Sequence, residues 1–412
     1  MNVEPDPTAA VASSLSPFNS QFAANPFPLL AQMRSMGAIV QIPIPFDSTQ
    51  RAWLVTRMEE AVQVLKDRNF TVDRSLTSSD VAQGQQQETS GAPSFLARSM
   101  ISVDEPDHRR LRGLVSKAFT PKYIQSLRPS IQQIADELLD KVQKQGSMDL
   151  VEDYAYPLPI NVISDMLGVP HKNREQIRLW SETIAGGSRG SREEQRERVR
   201  AFSNYVVQLV AEKRQHPQND LISHLIQMEE EGDRLSEPEL LSMIGLLIFA
   251  GHETTSNLIG IGSLVLLDHP EQLEKLKADV SLVPSAVEEL LRINGPVLSP
   301  APRFATEDVE LGGQHIHRGD IVLVALASAN RDEAQFTQPD EVDIARSLNR
   351  HIAFGQGIHI CLGAPLARLE GDIAFTTLLR RMPNLRLNVP RETITWRGGF
   401  NLRGLTSLPV AF

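Results

Sequence analysis

The run LLSMIGLLIFAGHETTSNLIGIGSLVLL, residues 240–267, constrains the fold more than any other stretch. Its length would suit a membrane span, but His252 and Glu253 stand in mid-run, where ionisable groups are costly in lipid. A buried helix is the better reading. Taken from Glu237 to Leu267, it would extend about 45 Å at 1.5 Å per residue, enough to cross a whole domain. A 412-residue chain can supply the surrounding core, and no low-complexity break divides it. The expected organisation is a flexible N-terminal segment over residues 1–20 and one domain over 21–412.

The rest of the pattern is mostly helical. PLLAQMRSMG and MEEAVQVLKD read as short helices, separated by the strand-like runs IVQIPI and RAWLVT. Residues 76–94 are polar and carry glycine and proline, which predicts a long mobile loop of the kind that often forms a lid. From DEPDHRRLRGLVSKAF to about residue 231 the pattern is a series of helices, broken by a flexible joint at AGGSRGS, residues 185–191. PSAVEELLRI is another helix, IVLVALAS a strand, and the last helix is expected over Pro365–Arg381. The fold class is therefore mainly α with small β-sheets.

A net charge of −10 argues against nucleic acid or anionic membrane as the main partner. The single cysteine excludes an internal disulfide, a zinc site built from paired CxxC motifs and an iron–sulfur cluster on four thiolates. The first residues, MNVEPDPTAAVASSLSPFNS, have no apolar core of a signal peptide. A cytoplasmic location is expected.

That lone cysteine lies in HIAFGQGIHICLGAPLAR, residues 351–368. A helix opening at Pro365 would aim unpaired N–H groups at Cys361, and a helix N-terminus lowers a thiol's pKa. Gly355, Gly357 and Gly363 would clear room for a flat, bulky cofactor. The rival reading is a small buried hydrophobe in a glycine-rich turn. In the long helix, Glu253 is expensive to bury unless paired or hydrated, and Thr254 and Thr255 can bond back to the preceding turn. Acid beside alcohol, with Gly251 near by, suggests a local helix distortion and a route for protons into a dry pocket. A kinked core helix with a satisfied glutamate would read the same way. Glu289 and Arg292 form an i,i+3 pair, a common and weak signal.

Read in order, AGHETT, EELLR, PRFATEDVELGG, ANRDEAQFTQPDEVDIAR and HIAFGQGIHICLG resemble the soluble bacterial class of cytochrome P-450 haem-thiolate monooxygenases. The resemblance covers the chain from about residue 20 onward. It implies a single-domain triangular helical prism, with haem b between the long helix and the cysteine helix. Cys361 would be the axial ligand of the haem iron, with Phe354 and Gly363 beside it. His108, Arg112, Arg303 and His359 would hold the propionates. Ala250 and Gly251 would line the oxygen groove, Thr254 would steady dioxygen, and Glu253 would relay protons. Glu289, Arg292 and Arg346 would form a structural network serving folding and haem retention. His252 takes no assignment.

The resemblance also implies separate electron donors, a ferredoxin or flavodoxin with its NAD(P)H reductase, because no thiols remain for a second redox centre. Arg109, Arg110, Lys117 and Lys122 are candidates for a basic docking patch on the cysteine side; an ordinary solvated helix face is the alternative. Substrate-pocket walls would come from residues 76–98, the AGGSRGS joint, Phe249, Ser299 and Leu402. They suggest a medium to large apolar molecule, such as a steroid, terpenoid, macrolide or fatty acid, oxidised by a monomeric enzyme. The rival functions are a peroxide-driven peroxygenase, a non-catalytic haem sensor or carrier, and a zinc site from His351, His359 and Cys361, which lacks a fourth ligand.

Overall fold

The computed structural model describes residues 17–18, 20–44, 47–77, 99–185, 191–230 and 235–412. Most of the expected lid loop, most of the AGGSRGS joint and most of the N-terminal segment lie outside these residues.

The long helix runs unbroken from Glu237 to Asp268, and most of its residues are buried. Its start is set by Ser236, whose N–H and hydroxyl both donate to Glu239, at 2.8 and 2.9 Å. Its end is set by His269 and Pro270, which cannot continue the helix. The expected distortion at AGHETT is absent: the segment stays α-helical, with Thr254 Oγ1 donating to the Ala250 carbonyl at 3.3 Å. Back-bonding of this kind satisfies the hydroxyl without breaking the backbone ladder. Among the described residues, no helix is long and apolar enough to cross a membrane.

Among the helices packed on this rod are Pro157–Leu167, Val283–Asn294 and the cysteine helix Ala364–Arg381. Close approach is written into glycines. A Cβ on Gly251 would lie 2.5 Å from Ile163, and one on Gly262 would lie 2.7 Å from Phe375. Gly251 is therefore a packing contact with the helix Pro157–Leu167, a role beyond the groove-lining one expected of it.

The sheets tie distant parts of the chain together. A five-stranded sheet orders Ile39–Ile44, Asp47–Val55, Ile321–Val324, Arg303–Ala305 and Phe70–Thr71. Its one parallel pair joins Asp47–Val55 to Ile321–Val324. The run IVLVALAS is only half a strand, because Leu326–Ala329 turns into a short helix that packs on Phe27–Met36. A small antiparallel pair, Trp396–Gly398 with Arg403–Leu405, lies against the long helix. Gly404 makes that contact feasible, since a Cβ there would sit 2.0 Å from Asn257 Oδ1.

Candidate functional site

The cysteine loop closes on itself before its helix begins. Cys361 N–H donates to the Phe354 carbonyl at 2.9 Å. Gly355 and Gly357 take φ of 72° and 75°, the left-handed region that glycine tolerates. Gly357 also has no room for a side chain, because a Cβ would meet the Leu65 carbonyl at 2.2 Å. Gly363 is different, with an ordinary φ of −81°; a Cβ there would have Cys361 Sγ as its nearest contact, at 4.0 Å.

Cys361 is accessible on one side while protein crowds its sulfur from the others. That crowding raises the thiol's pKa above its ordinary value. The N–H groups of Gly363 and Ala364 and the charges of Arg112 and Arg368 pull the other way, but they do not prevail. The helix start thus aims donors at the sulfur as expected, without producing a free thiolate. A metal ion would deprotonate it on binding.

Four basic side chains gather near this loop. His108 and His359 stack at 4.4 Å between ring centroids. Burial, followed by the charge of His359, lowers His108 to a pKa of about 4. Arg303 is 4% exposed and donates to the Ala301 carbonyl at 2.8 Å; burial lowers its pKa to about 10. Arg112 is half-buried and, among the described residues, has no hydrogen bond or ion pair. Sequence reasoning missed their common neighbour, Asp104. It accepts from His359 Nε2 at 2.8 Å, from the Thr71 hydroxyl and from the Val72 N–H. Burial pushes its carboxyl upward, yet those donors hold the pKa at about 2. With His359 Nε2 engaged, Nδ1 is the nitrogen left for a bound carboxylate.

The long helix is not buried along its whole length. Between Ser242 and Leu266, only Phe249, Ala250, Gly251 and Thr254 escape full burial. Ala250 and Thr254, one turn apart, share the accessible face. Glu253 points the other way, into protein, and is 1% exposed. Its Oε1 accepts from Arg397 at 2.6 Å and from Asn257 at 3.1 Å, whereas Oε2 has no partner. Arg397 also binds Asn257 Oδ1 at 3.2 Å. A second acid, Glu370 on the cysteine helix, is fully buried beside Thr255 of the long helix. Burial raises its pKa to about 8; the Thr255 hydroxyl lies near enough to oppose that rise, but not in a geometry that completes a hydrogen bond to either oxygen.

The structural network forms as expected and is larger. Arg292 donates twice to Glu289, both bonds at 2.8 Å, and Arg346 Nε reaches both carboxylate oxygens at 3.2 Å. Asn349 and the Asp343 N–H complete the shell, at 3.0 and 2.9 Å. Ser299 and Leu402 belong to neighbouring segments, joined by a bridge between Val297 and Leu402 and by Asn401 donating to the Ser299 carbonyl. The basic patch is reduced: Arg110 is tied to Glu239 at 2.5 Å and to Asp107 at 2.7 Å, and Arg109 to Glu105 at 2.8 Å. Lys117 and Lys122 remain exposed. The zinc alternative fails on geometry. His351 is held by Glu288 at 3.1 Å and His359 by Asp104. Among the described residues, these two and Cys361 do not form a metal-ligating group.

The donor set suits a haem. An approachable sulfur beneath amide donors lies near a basic cradle, and an accessible helix face stands in an otherwise buried rod.

Comparison with known proteins agrees. The family model for cytochrome P-450 matches residues 175–393. The polyketide biosynthesis cytochrome P-450 PksS of Bacillus subtilis is 44% identical, over 96% of this chain and 98% of its own. The 6-deoxyerythronolide B hydroxylase of Saccharopolyspora erythraea is 41% identical, over 88% of this chain and 90% of its own. The structure of myxobacterial CYP267B1 in complex with myristic acid superposes with a TM-score of 0.89 at 40% identity, covering 96% of this chain and 98% of that one. A match over more than half the chain, with the lone cysteine in the matched part, decides the question: this protein belongs to the cytochrome P-450 family and is a monooxygenase of it.

Proposed function

We propose that the enzyme inserts one oxygen atom from O2 into a C–H or C=C bond of a medium to large apolar molecule. Electrons would come from NAD(P)H through a separate ferredoxin or flavodoxin and its reductase. The observation that carries this reading is the pairing of Cys361, beneath its amide donors, with the accessible Ala250–Thr254 face of the long helix. Haem b, when bound, supplies the iron at which dioxygen is reduced.

The residues of the chain then divide the work. Cys361 ligates the iron, and the Gly363 and Ala364 amides, with Arg112 and Arg368, stabilise the negative sulfur. His108, Arg112, Arg303 and His359 Nδ1 hold the propionates, and Asp104 fixes the ring of His359. Phe354 packs beside the sulfur under the Arg368 guanidinium, which lies 4.6 Å from its ring centroid. Thr254 holds a proton on a hydroxyl whose 3.3 Å bond to Ala250 is weak enough to exchange for a new acceptor. Glu253 holds the proton supply behind it, provided that Arg397 releases one of its oxygens.

The substrate class rests on Phe249, Ser299 and Leu402, and on relatives named for polyketide biosynthesis and for 6-deoxyerythronolide B. A macrolide-like polyketide is the favoured case.

The test is the spectrum of the reduced protein with carbon monoxide. A strongly red-shifted Soret band is expected, and an unshifted band in fresh holoprotein would sink the assignment of Cys361. Spin-state titration with a polyketide panel then tests the substrate class. Efficient peroxide-driven turnover, with no turnover under any electron donor, would instead favour a peroxygenase.

A further inference from the structure

The segment EDVELGGQHIHRGD, residues 307–320, builds a second constellation on the hairpin Val309–Leu311/Gln314–Ile316. Gly312 and Gly313 turn the chain at φ of 54° and 75°, the left-handed pair that a type I′ turn requires. Strand alternation sends Leu311 and Ile316 into the core. The residues between and beside them, Asp308, Glu310, His315 and His317, stay exposed. The hairpin packs on the cluster beneath the five-stranded sheet, separate from the one that holds the long helix and the cysteine helix.

The four side chains are arranged in a definite order. Glu310, paired across the hairpin with His315, accepts from its Nδ1 at 2.7 Å. In the neutral ring that bond keeps the proton on Nδ1 and leaves Nε2 with a lone pair, whereas Glu310 and Asp308 raise the ring's pKa, so a metal ion would displace a proton on binding. Nε2 lies 3.6 Å from Asp308 Oδ2, and His317 Nδ1 lies 3.7 Å from the same oxygen. The other Asp308 oxygen accepts the Arg318 N–H at 2.9 Å, which fixes the carboxylate plane. The two imidazoles meet edge to face, 4.5 Å between centroids.

Separations of 3.6 and 3.7 Å are too long for hydrogen bonds. They are close to the edge of a tetrahedron, about 3.3–3.6 Å, spanned by ligands roughly 2.0–2.2 Å from zinc. The ligand atoms of all three residues lie within 4.8 Å of one another. We propose that Asp308, His315 and His317 form a surface site for a transition-metal dication of the zinc class, with Glu310 as the residue that orients His315.

Two imidazoles and one carboxylate select zinc, cobalt or nickel over magnesium and calcium. Water would complete the coordination. The glutamate behind the histidine matches the outer-shell pattern of metal-bound imidazoles. The ion would clamp the two ends of the hairpin and stabilise the fold by mass action.

The test uses the haem-loaded protein without an affinity tag, titrated with Zn2+ by calorimetry and with Co2+ by its visible bands. Saturable one-to-one binding is expected, with no response to Mg2+. His315→Ala/His317→Ala should abolish it. Glu310→Gln should weaken it roughly ten- to a hundredfold, as outer-shell changes do. Both variants should keep the wild-type carbon monoxide spectrum and turnover, which shows that they are folded. Absence of saturable binding up to millimolar Zn2+, or wild-type binding by the double variant, overturns the site. Unchanged affinity in Glu310→Gln overturns the orienting role.

Discussion

Buried carboxylates meet opposite treatment in two regions of this molecule. At the corner where Val283–Asn294 meets the loop around residue 343, Glu289 is fully buried and every direction around its carboxylate is filled. Arg292 is as well served, since its remaining N–H groups reach the carbonyls of Asn330, Pro339 and Glu341. Along the long helix and the cysteine helix the pattern reverses. Glu253 has one oxygen without a partner, Glu370 has two, and His252 Nε2 and Ser263 Oγ have none either. An unmet buried polar atom costs about 1–3 kcal/mol. The folding corner eliminates that cost, whereas these two helices keep groups whose partners can change, as the proposed proton delivery would require.

The comparison can be broken experimentally. The largest effect should come from Glu289→Ala, which strands the Arg292 charge in the interior. Losing one partner of a buried pair typically costs about 3–5 kcal/mol. Chemical denaturation should show it, together with faster haem loss. A cost below about 1 kcal/mol would mean that the corner is not the brace described.

Glu253→Gln should act mainly on chemistry. Product formation driven by NAD(P)H is expected to fall about a hundredfold, within the range for loss of a general acid. The denaturation midpoint should move far less than in Glu289→Ala, because Arg397 is partly exposed and keeps Asn257. Equal damage to both properties would remove the distinction between the two regions.

The smallest effect concerns pH. Glu370 holds its proton up to a pKa of about 8 in the folded protein, above the ordinary carboxyl value of 4.5. Between these values the folded state binds more protons than the unfolded one, so this residue makes stability fall as pH rises. Glu370→Gln should match wild type near pH 5 and exceed it near pH 9 in thermal unfolding. A variant that lost stability equally at both would place Glu370 with the satisfied groups.

Much of this contrast was legible in the sequence. The long helix, the cysteine loop and the Glu289–Arg292 spacing are local patterns, and each folded within a residue or two of its expected limits. The partners were not legible. Arg397 meets Glu253 across 144 residues and His359 meets Asp104 across 255, and neither pairing leaves a periodic trace. Asp104 stood inside a motif that had been read only for its basic residues. Nothing local marks Glu370 for burial, since it stands on a helix rich in arginine. Cys361 shows a limit of another kind: the helix start was correctly read as aiming amides at sulfur, but the opposing crowding depends on packing that no local pattern encodes.

The 144-residue gap between Glu253 and Arg397 has a consequence in time. Ribosomes add about 5–20 residues per second, so roughly 7–30 seconds separate the emergence of the acid from that of its counter-charge. Through that interval the long helix carries a carboxylate that its final burial would leave without a cation. The hairpin that brings Arg397 therefore supplies the counter-charge of Glu253 late in synthesis, after the helices that first surround the rod have emerged.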